Sequence, residues 1–151
     1  MNQALNVDNL AETESFGLRL ASVLFPGAVI ALEGPLGAGK THLVRAVATG
    51  LGANPNHVSS PTFVLIQEYD ARLPIYHFDA YRLKTEAEFA DLGVHEYFEG
   101  NGVCLVEWAD KVANCLPKEL LTINIVVTGP QSRRLEMTAQ GSNYESMLTS
   151  I

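Results

Sequence analysis

Ala28-Val-Ile-Ala-Leu32, Glu33, Gly34-Pro35-Leu36-Gly37-Ala38-Gly39-Lys40-Thr41 and the segment on to Leu51 decide the fold. Ala28 to Leu32 is a continuous apolar run rich in branched side chains, the pattern of a strand covered on both faces. From Thr41 to Leu51 the apolar residues Leu43, Val44, Val47 and Leu51 return to helical spacing, and Gly50 and Gly52 close the segment. The residues between satisfy G-x-x-x-x-G-K-[ST] at every fixed position, in the strand–loop–helix context that this phosphate-binding motif requires. Glycines let such a loop turn its N–H groups inward, and the helix that follows adds the positive end of its dipole, so the loop is an anion cradle. Lys40 offers a mobile ammonium for the β- and γ-phosphates, and the Thr41 hydroxyl is short enough to ligate the Mg²⁺ that spans them. Leu36, Gly37, Ala38 and Gly39 supply backbone amides, whereas Pro35 has none to give. A turn that merely joins strand to helix is the plain alternative; Lys and Thr in these two places argue against it.

Working outward, Ala11 to Phe25 has apolar residues mostly at helical intervals, with Thr13 placed as its N-cap. Phe63 to Tyr69 and Pro74 to Phe78 read as a β-hairpin around Asp70-Ala-Arg-Leu73, and Glu86 to Leu92 as a short helix. Gly102 to Val106 is a second buried strand that stops at Glu107. Leu120 to Val127 and Arg133 to Thr138 make a terminal hairpin, followed by a helix over Tyr144 to Leu148. The alternation predicts one α/β domain over residues 1–151: a P-loop NTPase-like three-layer sandwich with a mixed central sheet and helices on both faces.

Composition narrows the setting. The 151 residues are 47% hydrophobic and 18% charged, enough for one core with little left for a second domain. Ten Lys+Arg against 17 Asp+Glu give a formal charge of -7, which opposes unassisted binding to a nucleic acid backbone, so any RNA is expected to be held by a partner. Cys104 and Cys115 lie in or near apolar stretches and read as buried free thiols rather than a disulfide framework. Neither a signal segment nor a membrane-length apolar run is visible, so the expectation is a cytoplasmic protein without a membrane partner.

A phosphate loop also needs a carboxylate at the end of a neighbouring strand, and two are available: Asp79 after Ile75-Tyr-His-Phe78, and Glu107 after Val103-Cys-Leu-Val106. The sequence does not rank them. Either suits Mg²⁺, directly or through water, or the orientation of an attacking water; a solvated acid at a strand end is the bland reading. Ser59-Ser-Pro-Thr62 is a hydroxyl-rich loop in which Thr62 could contact Mg²⁺ or γ-phosphate as a switch, or simply cap a proline turn. Arg82 suits an ion pair with Glu86 at least as well as phosphoryl charge. Trp108 reads as packing beside Glu107, and His77 as structural, since no His/Cys cluster has zinc spacing.

The P-loop together with Ser60-Pro-Thr-Phe63, His77-Phe-Asp-Ala-Tyr-Arg-Leu83 and Leu105-Val-Glu-Trp108, in this order and spacing, resembles the TsaE family over about Thr13 to Trp108. The resemblance implies a cytoplasmic bacterial ATPase that uses ATP/ADP and Mg²⁺ and binds a TsaB–TsaD pair. It would support repeated threonylcarbamoyl transfer to adenosine 37 of tRNA, meeting tRNA only through those partners. Carried over by position, Lys40 and Thr41 are the phosphate lysine and metal hydroxyl, Thr62 the switch threonine, Asp79 and Glu107 the acids around metal and γ-phosphate. Trp108 is the tryptophan beside the site, and Thr13 the N-terminal threonine near the nucleotide. Pro35 stands where many members have Asp, and Arg133 and Arg134 receive no assignment.

Two other classes compete. A small P-loop kinase shares loop, size and fold, but such an enzyme usually carries an arginine-rich lid and no arginine cluster follows the core strands here. A nucleotide-gated binding module would use ATP occupancy, rather than hydrolysis, to order Ser59 to Thr62.

Overall fold

The computed structural model describes residues 1–59 and 65–151. In chain order the elements are β1 (Asn2–Val7), α1 (Leu10–Val23), β2 (Val29–Glu33), α2 (Lys40–Gly50), β3 (Ile66–Tyr69), β4 (Ile75–Asp79), α3 (Glu86–Ala90), α4 (Val94–Phe98), β5 (Val103–Glu107), β6 (Leu120–Val127), β7 (Arg133–Gln140) and α5 (Ser142–Ser150), with 3-10 turns at Pro55–His57 and Ala109–Cys115. One seven-stranded sheet runs β1-β7-β6-β2-β5-β4-β3. The strands β6, β2, β5 and β4 are parallel; β7 beside β6 and β3 beside β4 run antiparallel to them, and edge strand β1, antiparallel to β7, runs in the same direction as the central four.

The strand before the phosphate loop lies near the middle of this sheet, which explains its sequence. Val29 to Leu32 are all buried because both faces are covered. Ile30 and Leu32 point into a core with Phe16 and Leu20 of α1, Leu43, Val44 and Val47 of α2, and Tyr144 and Leu148 of α5. Val29 and Ala31 point the other way, into a second core with Phe89, Val94 and Phe98 of α3 and α4. These two cores on opposite faces are the expected three layers. Tyr144 also closes the first ladder position of β2: its hydroxyl accepts the Val29 N–H at 2.9 Å, tying α5 to the strand that carries the loop.

Helices α1 and α2 meet at small residues. A Cβ on Gly17 would stand 2.5 Å from Ala46 Cβ, and one on Gly50 would stand 2.5 Å from Ala21 Cβ. Gly17→Val is therefore expected to lower stability by about 1–3 kcal/mol through overpacking. Urea denaturation would measure it; an unchanged midpoint would mean that the helices separate freely.

Several expectations need adjustment. The first helix begins at Leu10, and its N-cap is Asn9, whose side chain accepts the Glu12 N–H at 2.9 Å, while Glu12 Oε2 accepts the Asp8 N–H at 2.6 Å. Thr13 is one turn inside the helix and only 4% exposed. Strand β1, paired antiparallel with β7, and helix α4 were not foreseen. The hairpin of β3 and β4 is present, although the part predicted at Phe63 lies outside the described residues. Cys104 and Cys115 are free; Cys104 is buried, its thiol pushed up to about 12 by burial, whereas Cys115 is only half-buried. Among the described residues no helix is long and apolar enough to cross a membrane.

Candidate functional site

The loop leaves β2 at Gly34, whose φ is +142° and where an added Cβ would meet the Ile125 carbonyl oxygen of β6 at 2.7 Å. Only glycine suits both the conformation and the space. Gly37 and Gly39 also have positive φ, with nothing within 4 Å of where a Cβ would stand, so their side of the loop opens to solvent. Lys40 begins α2 immediately after Gly39.

One cleft of about 220 Å³ is lined by Leu36, Gly37, Gly39, Lys40, Thr41, His42, Glu107 and Trp108. The Lys40 side chain is 5% exposed. Its Nζ donates to the Gly34 and Pro35 carbonyls at 2.6 and 2.8 Å and lies 4.0 Å from the centre of the Trp108 ring. Burial lowers the Lys40 pKa, and the carboxylates of Glu107, Asp79 and Asp110 act against that shift. Trp108 is held at φ 58°, the one non-glycine residue with positive φ among those described, and stacks on Tyr81 at 4.9 Å. A left-handed tryptophan next to a buried acid is backbone strain of the kind that collects at functional sites.

The strand ends bring the two candidate acids together. Asp79 and Glu107 are register partners across parallel β4 and β5. Glu107 is 2% exposed and accepts the Thr41 hydroxyl on both oxygens, at 3.0 Å each. Asp79 is 8% exposed, and its Oδ1 accepts the Tyr81 N–H at 2.9 Å, closing the turn after β4. Geometry thus separates the acids as the sequence could not: Glu107 touches the loop hydroxyl directly.

Ala38 is buried, and its carbonyl oxygen accepts Arg133 Nε at 2.8 Å. The same guanidinium reaches the Gly37 carbonyl at 3.5 Å and those of Gly129 and Ser132 at 3.0 and 2.8 Å. Arg133, left unassigned by sequence reasoning, pins the outer carbonyls of the loop from β7. No local pattern could have found it, because the contact depends on the terminal hairpin folding back over the loop. Arg133→Ala is expected to weaken ATP binding roughly tenfold, the scale of one lost charge-assisted hydrogen bond. Calorimetric titration would read it, and unchanged affinity would mean that the loop keeps its shape unaided.

The remaining sequence candidates are less central. Thr13 does not line the cleft; its Oγ1 is buried without a hydrogen-bond partner among the described residues. Thr62 lies outside the described residues. Arg82 is exposed just beyond β4. His77, read as structural, is buried against Glu107, its Nε2 2.5 Å from Oε2.

Comparison with known proteins gives the family and the fold. The family described as "Threonylcarbamoyl adenosine biosynthesis protein TsaE" matches residues 7–135. The chain belongs to the TsaE family. The TsaE protein of Bacillus subtilis (strain 168), called a tRNA threonylcarbamoyladenosine biosynthesis protein, is 47% identical over 140 residues, 92% of this chain and 87% of that one. The TsaE protein of Treponema pallidum (strain Nichols) is 40% identical over 124 residues, 82% and 91% of the two chains. The crystal structure of Bacillus YdiB superposes with a TM-score of 0.83 at 39% identity and covers 99% of this chain and 93% of that one. The TsaE resemblance and the open α/β sandwich expected from sequence are both borne out.

Proposed function

We propose that this chain is the ATP-binding, weakly hydrolysing P-loop component of the machinery that forms N6-threonylcarbamoyladenosine at adenosine 37 of tRNA. It is a cytoplasmic protein that acts on a TsaB–TsaD pair to support repeated turnovers and meets tRNA only through that pair. The observation that carries the reading is the convergence of the Thr41 hydroxyl and the Glu107 carboxylate at 3.0 Å beside the phosphate loop. Family membership sets the pathway, since the relatives carry the name of tRNA threonylcarbamoyladenosine biosynthesis proteins.

The donor set fits Mg²⁺: a hydroxyl and one or two carboxylates are hard oxygen ligands, and Mg²⁺ sites on nucleotides are completed by phosphates and water rather than by a protein cage. Thr41 and Glu107, with Asp79 alongside, would hold the ion, which would neutralise charge on the β- and γ-phosphate oxygens. Lys40 would leave its two carbonyl acceptors to bridge the same phosphates, and the amides of Leu36, Gly37, Gly39, Lys40 and Thr41 would line the cradle, whereas the Ala38 N–H is donated to the Pro35 carbonyl at 3.1 Å. A carboxylate beside the ion would also be placed to orient the attacking water. Trp108 covers Lys40 and keeps water from that side. The net charge of -7 agrees with leaving the RNA to partners.

Steady-state ATP hydrolysis with Mg²⁺, with and without a TsaB–TsaD pair and tRNA, tests the reading. The expected result is slow turnover that requires Lys40 and changes when the partners are added. Partner-independent ATP consumption with phosphoryl transfer to a small acceptor would overturn it in favour of a kinase.

A further inference from the structure

His77 occupies an unusual place for a polar side chain. It is 0% exposed, in the middle of β4, on the face that carries Ile75 into the apolar core. Burying an imidazole there is costly unless its nitrogens are partnered, and both are. Nε2 donates to Glu107 Oε2 at 2.5 Å, and Nδ1 meets the Tyr69 hydroxyl at 2.9 Å. Gln67 Oε1 is a second acceptor for the one proton of that hydroxyl, and the Ser59 backbone also hydrogen-bonds to it. Burial pushes the Tyr69 phenol up to about 12, so it stays protonated across the working range. A continuous hydrogen-bonded chain therefore runs through the core from β3 to the Thr41 hydroxyl.

The chain resolves an ambiguity in the acid. A glutamate carboxylate turns easily about its last torsion. Thr41 sits 3.0 Å from both oxygens, so it fixes the distance of the group but not which oxygen faces outward. His77 binds one oxygen only. It breaks the symmetry and leaves Oε1 with Thr41 as its sole hydrogen-bond partner among the described residues.

We propose that His77, backed by Tyr69, is a positioning residue that sets the plane of the Glu107 carboxylate and directs Oε1 toward the Mg²⁺ and water side of the site. Groups that orient a metal's ligand from behind typically matter by about 10- to 100-fold in metal affinity. The inference rests on the ATP and Mg²⁺ reading above.

The test uses the full chain with ATP and Mg²⁺ alone. Calorimetric titration gives the affinity for ATP in the presence of a chelator and with Mg²⁺, and thermal melting reports the fold. Glutamine can place its amide nitrogen near the position of the imidazole Nε2, whereas asparagine reproduces only Nδ1. His77→Asn is therefore expected to lose about 10- to 100-fold in Mg²⁺ affinity, with little change in metal-free ATP binding. His77→Gln should retain most of the Mg²⁺ affinity, and Tyr69→Phe should fall between the two. Equal behaviour of the Asn and Gln variants, or equal losses with and without Mg²⁺, would overturn the proposal and leave His77 a packing residue. Should His77→Asn not fold, His77→Gln and Tyr69→Phe carry the test, and unchanged Mg²⁺ affinity in Tyr69→Phe removes the backing role. If the wild-type chain binds ATP with no Mg²⁺ dependence, the site reading itself fails first, and this inference with it.

Discussion

Lys40→Met is expected to lower ATP hydrolysis by about 10²-fold or more, the scale of removing one preorganised charge from a transition state, and to raise the melting temperature of the nucleotide-free protein. The two effects share a cause. The ammonium is buried beneath Trp108, and desolvation outweighs the attraction of Glu107, Asp79 and Asp110, so its pKa is lowered. A lysine whose folded pKa lies below its unfolded value makes the native state hold the proton less tightly. Its contribution to stability therefore improves as pH rises from the folded value toward the ordinary 10.5, and the penalty is fully present at lower pH. Methionine keeps the apolar stem against Trp108 and removes the charge. Phosphate release and calorimetric melting read the two effects. A variant hydrolysing at the wild-type rate would remove Lys40 from the chemistry, and a lower melting temperature would show that its contacts with the Gly34 and Pro35 carbonyls outweigh desolvation.

Glu107→Ala should fail in both respects. It removes the acceptor of the Thr41 hydroxyl and of His77 Nε2 at once, and His77 has no exposed surface through which water could replace it. Leaving such a buried donor unpaired costs about 1–3 kcal/mol, and hydrolysis should fall by roughly 10²-fold or more. Glu107→Gln, which keeps the shape and one acceptor oxygen, should recover much of the stability and little of the activity. Asp79→Asn should cost less stability than Glu107→Ala, because the amide retains an oxygen for the Tyr81 N–H that Asp79 Oδ1 now accepts. Urea titration beside phosphate release would expose an error: Glu107→Ala at wild-type stability would mean that His77 finds another partner.

What the sequence made legible was local. The strand, loop and helix from Ala28 to Leu51 carry their meaning in consecutive residues, and so does β5, where every residue is buried because β2 and β4 flank it. The capping of α1 was misread at Thr13, which lies a turn inside the helix; the cap is Asn9, identified by its hydrogen bond with the Glu12 N–H. Strand β1 is a mostly exposed edge whose Asn2 to Val7 register is set by β7, far along the chain, so its own residues carry little signal. Choosing between Asp79 and Glu107 required the pairing of β4 with β5 and the reach of Thr41. The contacts of His77 with Glu107 and of Arg133 with the loop carbonyls were hidden for the same reason: each involves a partner that only the folded chain brings near.

Because β2 is bracketed by β5 and β6, the segment that bears the nucleotide loop is synthesised early but acquires its second neighbour only when Leu121 to Asn124 have been made. On the ribosome, this buried strand therefore waits through most of translation with an open edge, and the loop it carries is among the last parts of the nascent chain to be braced from both sides.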